Sequence, residues 1–335
     1  MLKNQQINKG LLSWKSVISI YLSITCCSAL AQEKKTVAKP AEMVGALYAA
    51  FGNNHSRAVH AKGIILQGDF QPTAEAKKIC MAFQYQKQTP VTIRFSDFTG
   101  IPNIADTTGL SNPRGFAMKF HGDGGITSDM IMHSFNGFPV GNTDDFVELL
   151  TDISKSGPDA PHPNLLEQFF GTHPIAKTFL TSQKPPTTSY ATLSFFGVNS
   201  FKLTNAKGVS KYVRYQLIPV AGEHFLTPEE LKMSGPDYLS AEIKDRINKG
   251  QIQFKLYAQL SAGDDKIRDP SIAWPDTRQR IMLGTLTIKK LSENTVQEDK
   301  SLKFNPNNLS PGVTIADQML DDRARAYPIS VKNRQ

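Results

Sequence analysis

Between Pro90 and Ser96 the chain alternates strictly, with Val91, Ile93 and Phe95 on one side and Thr92, Arg94 and Ser96 on the other. A period of two is the pitch of a β-strand with one apolar face, so this segment must lie in a sheet that packs a core on one side only. The opposite face carries Arg94, a charge that needs a partner if anything covers it. Further strand-like runs read at Gly63–Phe70, Gly115–Phe120, Ser128–Phe138, Ala191–Phe196, Ser200–Leu203, Tyr212–Ile218, Gln253–Leu260 and Met282–Ile288. They are separated by turns, with helices inserted late. This order argues for an antiparallel barrel or α+β fold and against a doubly wound parallel sheet.

Helices are expected at Ala46–Phe51, at Thr73–Phe83 behind the N-cap Thr73, at Thr143–Ile153 and across Thr227–Asn248. Pro-rich loops at 157–163 and 184–187 set off a further helical pair. The glycines after His121 suit a hairpin turn and match no nucleotide-binding spacing.

The 335 residues are 40% hydrophobic and 20% charged, as in an ordinary globular protein, and 19 Phe against two Trp point to a core or pocket built on phenylalanine. Three of the +8 formal charges, Lys3, Lys9 and Lys15, fall in the first 31 residues, which hold no acid, leaving +5 for the rest. That mild excess forms no basic stripe of the kind that binds nucleic acid.

Those first residues have the pattern of an export signal, an apolar run from Val17 to Leu30 ending in Ala29-Leu30-Ala31. Cleavage after Ala31 would begin the mature protein at Gln32 and place it in the periplasm, with no stable membrane span. Cys26 and Cys27 raise a lipoprotein alternative, against which Thr25 and Cys26 are poor residues to precede a lipidated cysteine. Cys80 would then be the one remaining thiol, a buried small hydrophobe with no disulfide to make. Residues 32–44 read as a polar linker, and 45–335 as one domain.

The tail carries Arg323, Tyr327 and Arg334. On a helix, Arg323 and Tyr327 share a face, and a phenol beside guanidinium groups is biased towards phenolate, an oxygen donor suited to haem iron. An Arg-rich surface helix explains the same residues, and Pro328 should kink any helix that runs through. Upstream stand Arg57-Ala58-Val59-His60-Ala61-Lys62-Gly63, then Thr92-Ile93-Arg94-Phe95-Ser96, then Pro113-Arg114-Gly115-Phe116-Ala117-Met118-Lys119-Phe120. Phe138 and Phe146, Trp274-Pro275 and Phe304-Asn305-Pro306 follow before the tail.

In this order and spacing, from Leu47 to Arg334, the chain resembles the haem catalase family, most of all its small branch of catalase-related peroxidases. The resemblance implies a closed antiparallel β-barrel with flanking helices around haem b. It implies His60 as the distal acid–base residue, oriented by Ser96, and Tyr327 as the iron ligand, with Arg323 paired to it. Arg57, Arg94 and Arg334 would hold the haem propionates, while Val59, Phe138 and Phe146 would line the distal face. A neutral imidazole suits the proton traffic of peroxide cleavage, because its pKa lies near the working pH.

Two departures bear on activity. Where the family has a distal asparagine, this chain reads His133, which either takes part of that role, with Ser134 beside it, or turns outward to complete a strand. The chain also ends eight residues past Tyr327, so a further C-terminal domain, a nicotinamide cofactor and a tetramer are not expected; a monomer or small homo-oligomer is. Both departures favour a peroxidase that reduces peroxide through an oxo-iron state and oxidises a small organic donor, with weak catalase activity. A small periplasmic catalase, or a haem carrier or sensor without turnover, are the alternatives.

Overall fold

The computed structural model describes residues 38–334 other than Asn294. The segment read as an export signal therefore lies outside the described residues. In order the elements are α1 (Pro40–Phe51), β1 (Gly63–Pro72), α2 (Ala74–Ile79), β2 (Thr89–Ser96), β3 (Gly115–His121), β4 (Thr127–His133), α3 (Thr143–Lys155), α4 (Leu165–Thr172) and α5 (Pro174–Thr181). They continue with β5 (Phe195–Thr204), β6 (Ser210–Pro219), α6 (Pro228–Met233), α7 (Tyr238–Lys249), β7 (Ile252–Leu260), β8 (Arg280–Leu291), α8 (Thr295–Ser301), β9 (Val313–Ile315), α9 (Gln318–Ala324) and α10 (Tyr327–Asn333).

Strands β1 to β8 pair antiparallel in sequence, except that β4 meets β5 at the single pair His133–Phe196 and β1 meets β8, which closes the barrel. Closure removes the sheet edges that would otherwise invite pairing with another chain. Short β9 adds to the far end of β5. The alternation read in Pro90–Ser96 is what fills this barrel: Val91, Ile93 and Phe95 point inward and are fully buried with Phe116, Met118, Phe195 and Phe254. Phe95 meets the Tyr190 ring stacked at 5.1 Å and the Phe116 ring edge-on at 5.6 Å.

The opposite face of β2 to β5 is covered too. A second apolar cluster of Phe138, Val140, Leu149, Phe169, Ala176, Val198 and Met319 ties α3, α4, α5 and α9 to the outside of β5. Helix α1 packs on α3, α9 and α10. The sheet is thus buried on both sides here, and its outward polar residues need partners of their own.

Several sequence boundaries shift, each for a local reason. Helix α1 begins at Pro40 rather than Ala46, because Pro40 suits a first helical position and Glu42 reaches back to the Lys39 backbone N–H at 2.8 Å. Residues 40–44 therefore belong to a helix and not to a linker. Helix α2 starts behind Thr73 as expected but stops at Ile79, with a separate 3-10 turn at Phe83–Tyr85. Strand β4 stops at His133, so Phe138 lies in the loop beyond it. The runs 191–196 and 200–203 are a 3-10 turn followed by one strand, β5, whose register shifts between Gly197 and Phe201. Gly235-Pro236 splits the expected 227–248 helix into α6 and α7.

Candidate active site

A cavity opens on the outer face of β2 to β5, beneath α1, α9 and α10, with about 1510 Å³ of space between its lining side chains, open mouth included. Its floor is a consequence of register. Ser96 pairs with Gly115, Gly115 with His133, and His133 with Phe196, giving one row across four strands. Arg94, Ala117 and Ile131 form the next row on the same face. All seven line the cavity, as do Arg57, Val59, His60, Phe138, Phe146, Arg323, Tyr327 and Arg334. Of the residues singled out from the sequence for this site, all but Ser134 are therefore gathered at one place.

His60 sits in the loop before β1 with φ of 58°, a left-handed conformation that costs a non-glycine residue about 1 kcal/mol or more. The fold holds it there. Its backbone N–H donates to Phe98 O at 2.8 Å, and its carbonyl accepts from Arg94 Nη1 at 2.8 Å. Its ring nitrogen Nδ1 lies 2.9 Å from Asp97 O and 3.2 Å from Ser96 Oγ, and the Phe98 ring stands edge-on at 5.7 Å. A carbonyl only accepts, so Nδ1 carries the proton and Nε2 is left with its lone pair. The ring lies against Gly115: a Cβ there would come within 2.4 Å of Ser96 Oγ and 2.6 Å of His60 Nδ1. Burial foremost, then Arg94, lowers the His60 pKa to about 3, so the imidazole is neutral at working pH.

A buried polar group stands behind His60. The Asp97 carboxylate is wholly buried, bonded to the Arg114 guanidinium and, at 2.9 Å, to Tyr190 Oη. Asp106 anchors the same region through Lys62 Nζ at 2.6 Å and the Leu239 N–H at 2.8 Å. Arg114 belongs to a noted motif, but its partners, the Asp97 carboxylate and the Asp106 carbonyl, come from loops, and no local pattern announces them.

At one end of the cavity, three arginines converge. Arg94 Nε donates to Asp299 Oδ1 at 2.5 Å, and its Nη2 to Asp299 Oδ2 at 3.1 Å and to Ala61 O at 2.9 Å. Arg57 Nη2 reaches Asp299 Oδ1 at 3.2 Å and Leu302 O at 2.9 Å, and Arg334 Nη2 reaches Leu302 O at 2.8 Å. The sequence required a partner for Arg94 but could not say which, because Asp299 lies 205 residues away on α8. Burial, with Arg94 next, lowers the Arg57 pKa to about 9, and burial also lowers that of Arg334. Nε of Arg57 and Nε of Arg334 are buried without a partner among the described residues.

The tail does not form the single helix expected of it. Arg323 lies in the last turn of α9 and Tyr327 opens α10, with Pro328 in the first turn. Proline thus starts a new helix instead of kinking an old one. Both side chains still line the cavity, and the Arg323 guanidinium lies over the Phe138 ring, 4.9 Å from its centroid. Phe138 and Phe146 meet at 5.5 Å. His133 does not turn outward; it is enclosed against Phe138 and Phe179, at 6.2 and 6.1 Å. Ser134 is committed elsewhere, accepting from the Arg114 N–H at 2.9 Å.

Cys80 is buried, as expected. Among the described residues no group of three or more possible metal ligands occurs. His162 is exposed, whereas His173 is half-covered, stacked on Phe169 at 3.9 Å. No helix among the described residues is long and apolar enough to cross a membrane.

Comparison with known proteins gives the family and the fold. The family model described as Catalase matches residues 53–335. The chain is 30% identical over 302 residues to the "Catalase-related peroxidase" of Synechococcus elongatus, covering 88% of each chain. It is 31% identical over 283 residues to the protein of that name from Mycolicibacterium paratuberculosis, covering 83% of this chain and 88% of the relative. Identity to the "Catalase" of Vibrio vulnificus is 29% over 289 residues, covering 81% of this chain and 56% of that protein. The chain thus spans little more than half the length of that larger relative. Among solved structures, a fungal catalase superposes with a TM-score of 0.75 at 23% identity over 83% of this chain and 59% of that one, a likeness of fold.

Proposed function

The chain belongs to the catalase family, and on that premise we propose that it is a haem b-dependent peroxidase. In this reading it reduces hydrogen or organic peroxides and oxidises a small organic donor, with weak catalase activity. The observation that carries the reading is the meeting, in one cavity, of a neutral histidine in a strained backbone conformation, a tyrosine and an anion-seeking arginine cluster.

The residues present fit haem. Arg57, Arg94 and Arg334 against Asp299 leave an excess of two positive charges among these four residues, and Lys303 lines the cavity as well. That matches the two carboxylates of a haem edge, and the unpaired Nε atoms of Arg57 and Arg334 are donors in want of acceptors. Tyr327 would hold the iron, and Val59, Phe138 and Phe146 would cover the macrocycle. When bound, haem with an anionic oxygen ligand supplies the redox chemistry that breaks the peroxide O–O bond.

The protein's own part is proton handling and exclusion of water. His60 Nε2 would take a proton from one peroxide oxygen and return it to the other, as base and then acid. Asp97 O fixes the tautomer that makes this possible, and Ser96 steadies the ring. A carrier would have no use for a strained, tautomer-locked histidine, which argues against storage alone. The export pattern of the first 31 residues supports a periplasmic site of action; N-terminal sequencing of the recovered protein should read from Gln32.

An absorption spectrum tests the cofactor. The purified protein should show a high-spin ferric haem band that is lost in Tyr327→Ala. Oxygen evolution at catalase-like speed with no oxidation of an aromatic donor would overturn the peroxidase reading and leave the haem.

A further inference from the structure

We propose that a second cavity, outside the barrel between β5, β9 and the loop that joins β7 to β8, binds hydroxylated aromatic carboxylates and is where the organic donor docks. The binding is argued from this cavity alone; its use for a donor rests on the peroxidase reading.

The cavity holds about 1110 Å³ of space, open mouth included, a size that suits a small organic ligand. Its floor is again set by register. Lys202 of β5 pairs with Tyr212 of β6 on one side and with Thr314 of β9 on the other, so the three form a row on the outer face of the sheet. Their neighbours along the strands, Leu203, Val213 and Val313, point the other way into the core. Another wall is the loop that carries Ile267 and Arg268. One buried residue pins it: the Arg214 guanidinium donates to Lys266 O at 3.0 Å, Asp269 O at 2.8 Å and Ile272 O at 2.6 Å. Those carbonyls bracket Arg268, so its backbone is held while its side chain stays exposed.

Lys202 and Arg268 have neither an ion pair nor a hydrogen bond among the described residues. A single unpaired surface cation is ordinary. Two that line one cavity, one of them on a pinned wall, make a receptor for an anion. The acids of the same cavity are already bonded, Asp321 to Arg325 Nη2 at 2.6 Å, and Asp317 to Asn199 Nδ2 at 2.6 Å and the Met319 N–H at 2.9 Å. A carboxylate so bonded keeps spare lone pairs, so Asp321 can still accept from a ligand hydroxyl. Tyr212, 44% exposed, offers its ring for stacking. Cations for a carboxylate, a ring for a ring and an acceptor for a hydroxyl together select a phenolic acid over a bare anion.

The position suits a donor. Asp317 lines this cavity and Asn199 lines the first one, so a single hydrogen-bonded pair bridges the two. A hydroperoxide takes up two electrons, and two phenols each give one together with the O–H proton. The hydroperoxide then becomes an alcohol and water, and two phenoxyl radicals leave.

Calorimetric titration of para-hydroxybenzoate into the full chain tests the site. Arg268→Gln and Lys202→Gln should each weaken binding about tenfold, the worth of one hydrogen bond to a charged group. Benzoate, which lacks the hydroxyl, should bind the wild type about threefold more weakly. Cyanide on the haem-loaded protein occupies the first cavity and should leave the affinity unchanged. Equal affinity in both variants, competition by cyanide, or sulfate binding as tightly as para-hydroxybenzoate overturns the inference. With an organic hydroperoxide as oxidant, Arg268→Gln should act on the KM for para-hydroxybenzoate, raising it about tenfold on the same scale, and not on kcat. An unmoved KM overturns the donor role. A wild-type protein without any haem band overturns the peroxidase reading and the donor role with it, while the calorimetry still decides the site.

Discussion

Strands β2 to β4 have two buried faces, and the two are built on different principles. Inside the barrel, Val91, Ile93, Phe95, Phe116 and Met118 meet only one another and similar side chains, and what they contribute is area removed from water. Outside, the alternate positions Arg94, Ser96, Gly115, Ala117, Ile131 and His133 face a cavity. There the polar groups are oriented by a few specific hydrogen bonds, and Nε2 of His133 and Nε of Arg57 and of Arg334 have no partner among the described residues. The inner face is apolar apart from tyrosine hydroxyls such as those of Tyr85 and Tyr215, which meet at 3.5 Å; the outer one keeps groups that a stability-driven core would exclude. One face should therefore answer to mutation in stability, and the other in chemistry.

The largest expected effect is on the inner face. Phe95 is wholly buried and touches Phe116, Tyr190, Phe195 and Phe254. Truncation in Phe95→Ala should cost about 3–5 kcal/mol of unfolding free energy, read from denaturant midpoints. Turnover per folded, haem-loaded molecule should change far less. A change below about 1 kcal/mol would mean that the barrel collapses around the gap, and the contrast between faces would weaken.

Gly115→Ala is the outer counterpart. The added methyl would sit 2.4 Å from Ser96 Oγ and 2.6 Å from His60 Nδ1, so the imidazole must move. Displacing a catalytic group by about 1 Å costs roughly a hundredfold in rate. Peroxide-dependent turnover should fall by about that factor with haem still bound, while unfolding free energy falls by less than in Phe95→Ala. If stability and rate fall together to the same degree as in Phe95→Ala, the two faces are not separable.

This division also decides what the sequence could reveal. Strict alternation over Val91–Phe95 announces an apolar face, and enough such runs separated by turns announce a barrel; these are local regularities that hydrophobic area enforces. The site residues were legible because His60, Arg94, Ser96 and Tyr327 lie in ordered motifs. Their partners were not. Asp299 meets Arg94 across 205 residues, and nothing in Gln297-Glu298-Asp299-Lys300 separates it from a solvent-facing helix. The positive φ of His60, the Phe135 N–H that sets the His133 tautomer and the break between α9 and α10 are likewise products of tertiary packing. The first turn of α1 shows no apolar period, because Pro40, Ala41 and Glu42 offer only a cap.

Acid titration sharpens the comparison further. Ionisable groups of the inner face, Tyr85 and Tyr215, have pKa values raised by burial and stay neutral. On the outer face, His60 and His133 are each lowered from 6.5 to about 3. Between those limits the unfolded chain binds protons that the folded one refuses, so the stability contributed by each is complete above about 6.5 and drains away as pH falls. The slope is up to about 1.4 kcal/mol per pH unit for each histidine. Asp97, raised to about 6 by burial, works in the opposite sense, so the informative quantity is a difference. Denaturation of His133→Phe between pH 7 and 5 should show a flatter fall than wild type, and an equal slope would mean that His133 protonates freely in the folded state.

The smallest effect expected, and the finest test of how the outer face is built, is Ser96→Ala. Ser96 Oγ lies 3.2 Å from His60 Nδ1, while Asp97 O lies at 2.9 Å from the same nitrogen. One N–H cannot be fully given to both, and the shorter contact is to a carbonyl whose place is fixed by β2 and by the buried Asp97–Arg114–Tyr190 group. The ring should therefore keep its tautomer without the hydroxyl. Loss of a weak neutral hydrogen bond, worth about 1 kcal/mol or less, should lower turnover by about fivefold or less and leave its pH profile in place. A hundredfold loss, or a profile moved to ordinary histidine values near 6.5, would show that the hydroxyl and not the strand carbonyl holds His60. The outer face would then owe its chemistry to a side chain that mutation can remove, and not to the backbone of the same barrel that the inner face keeps closed.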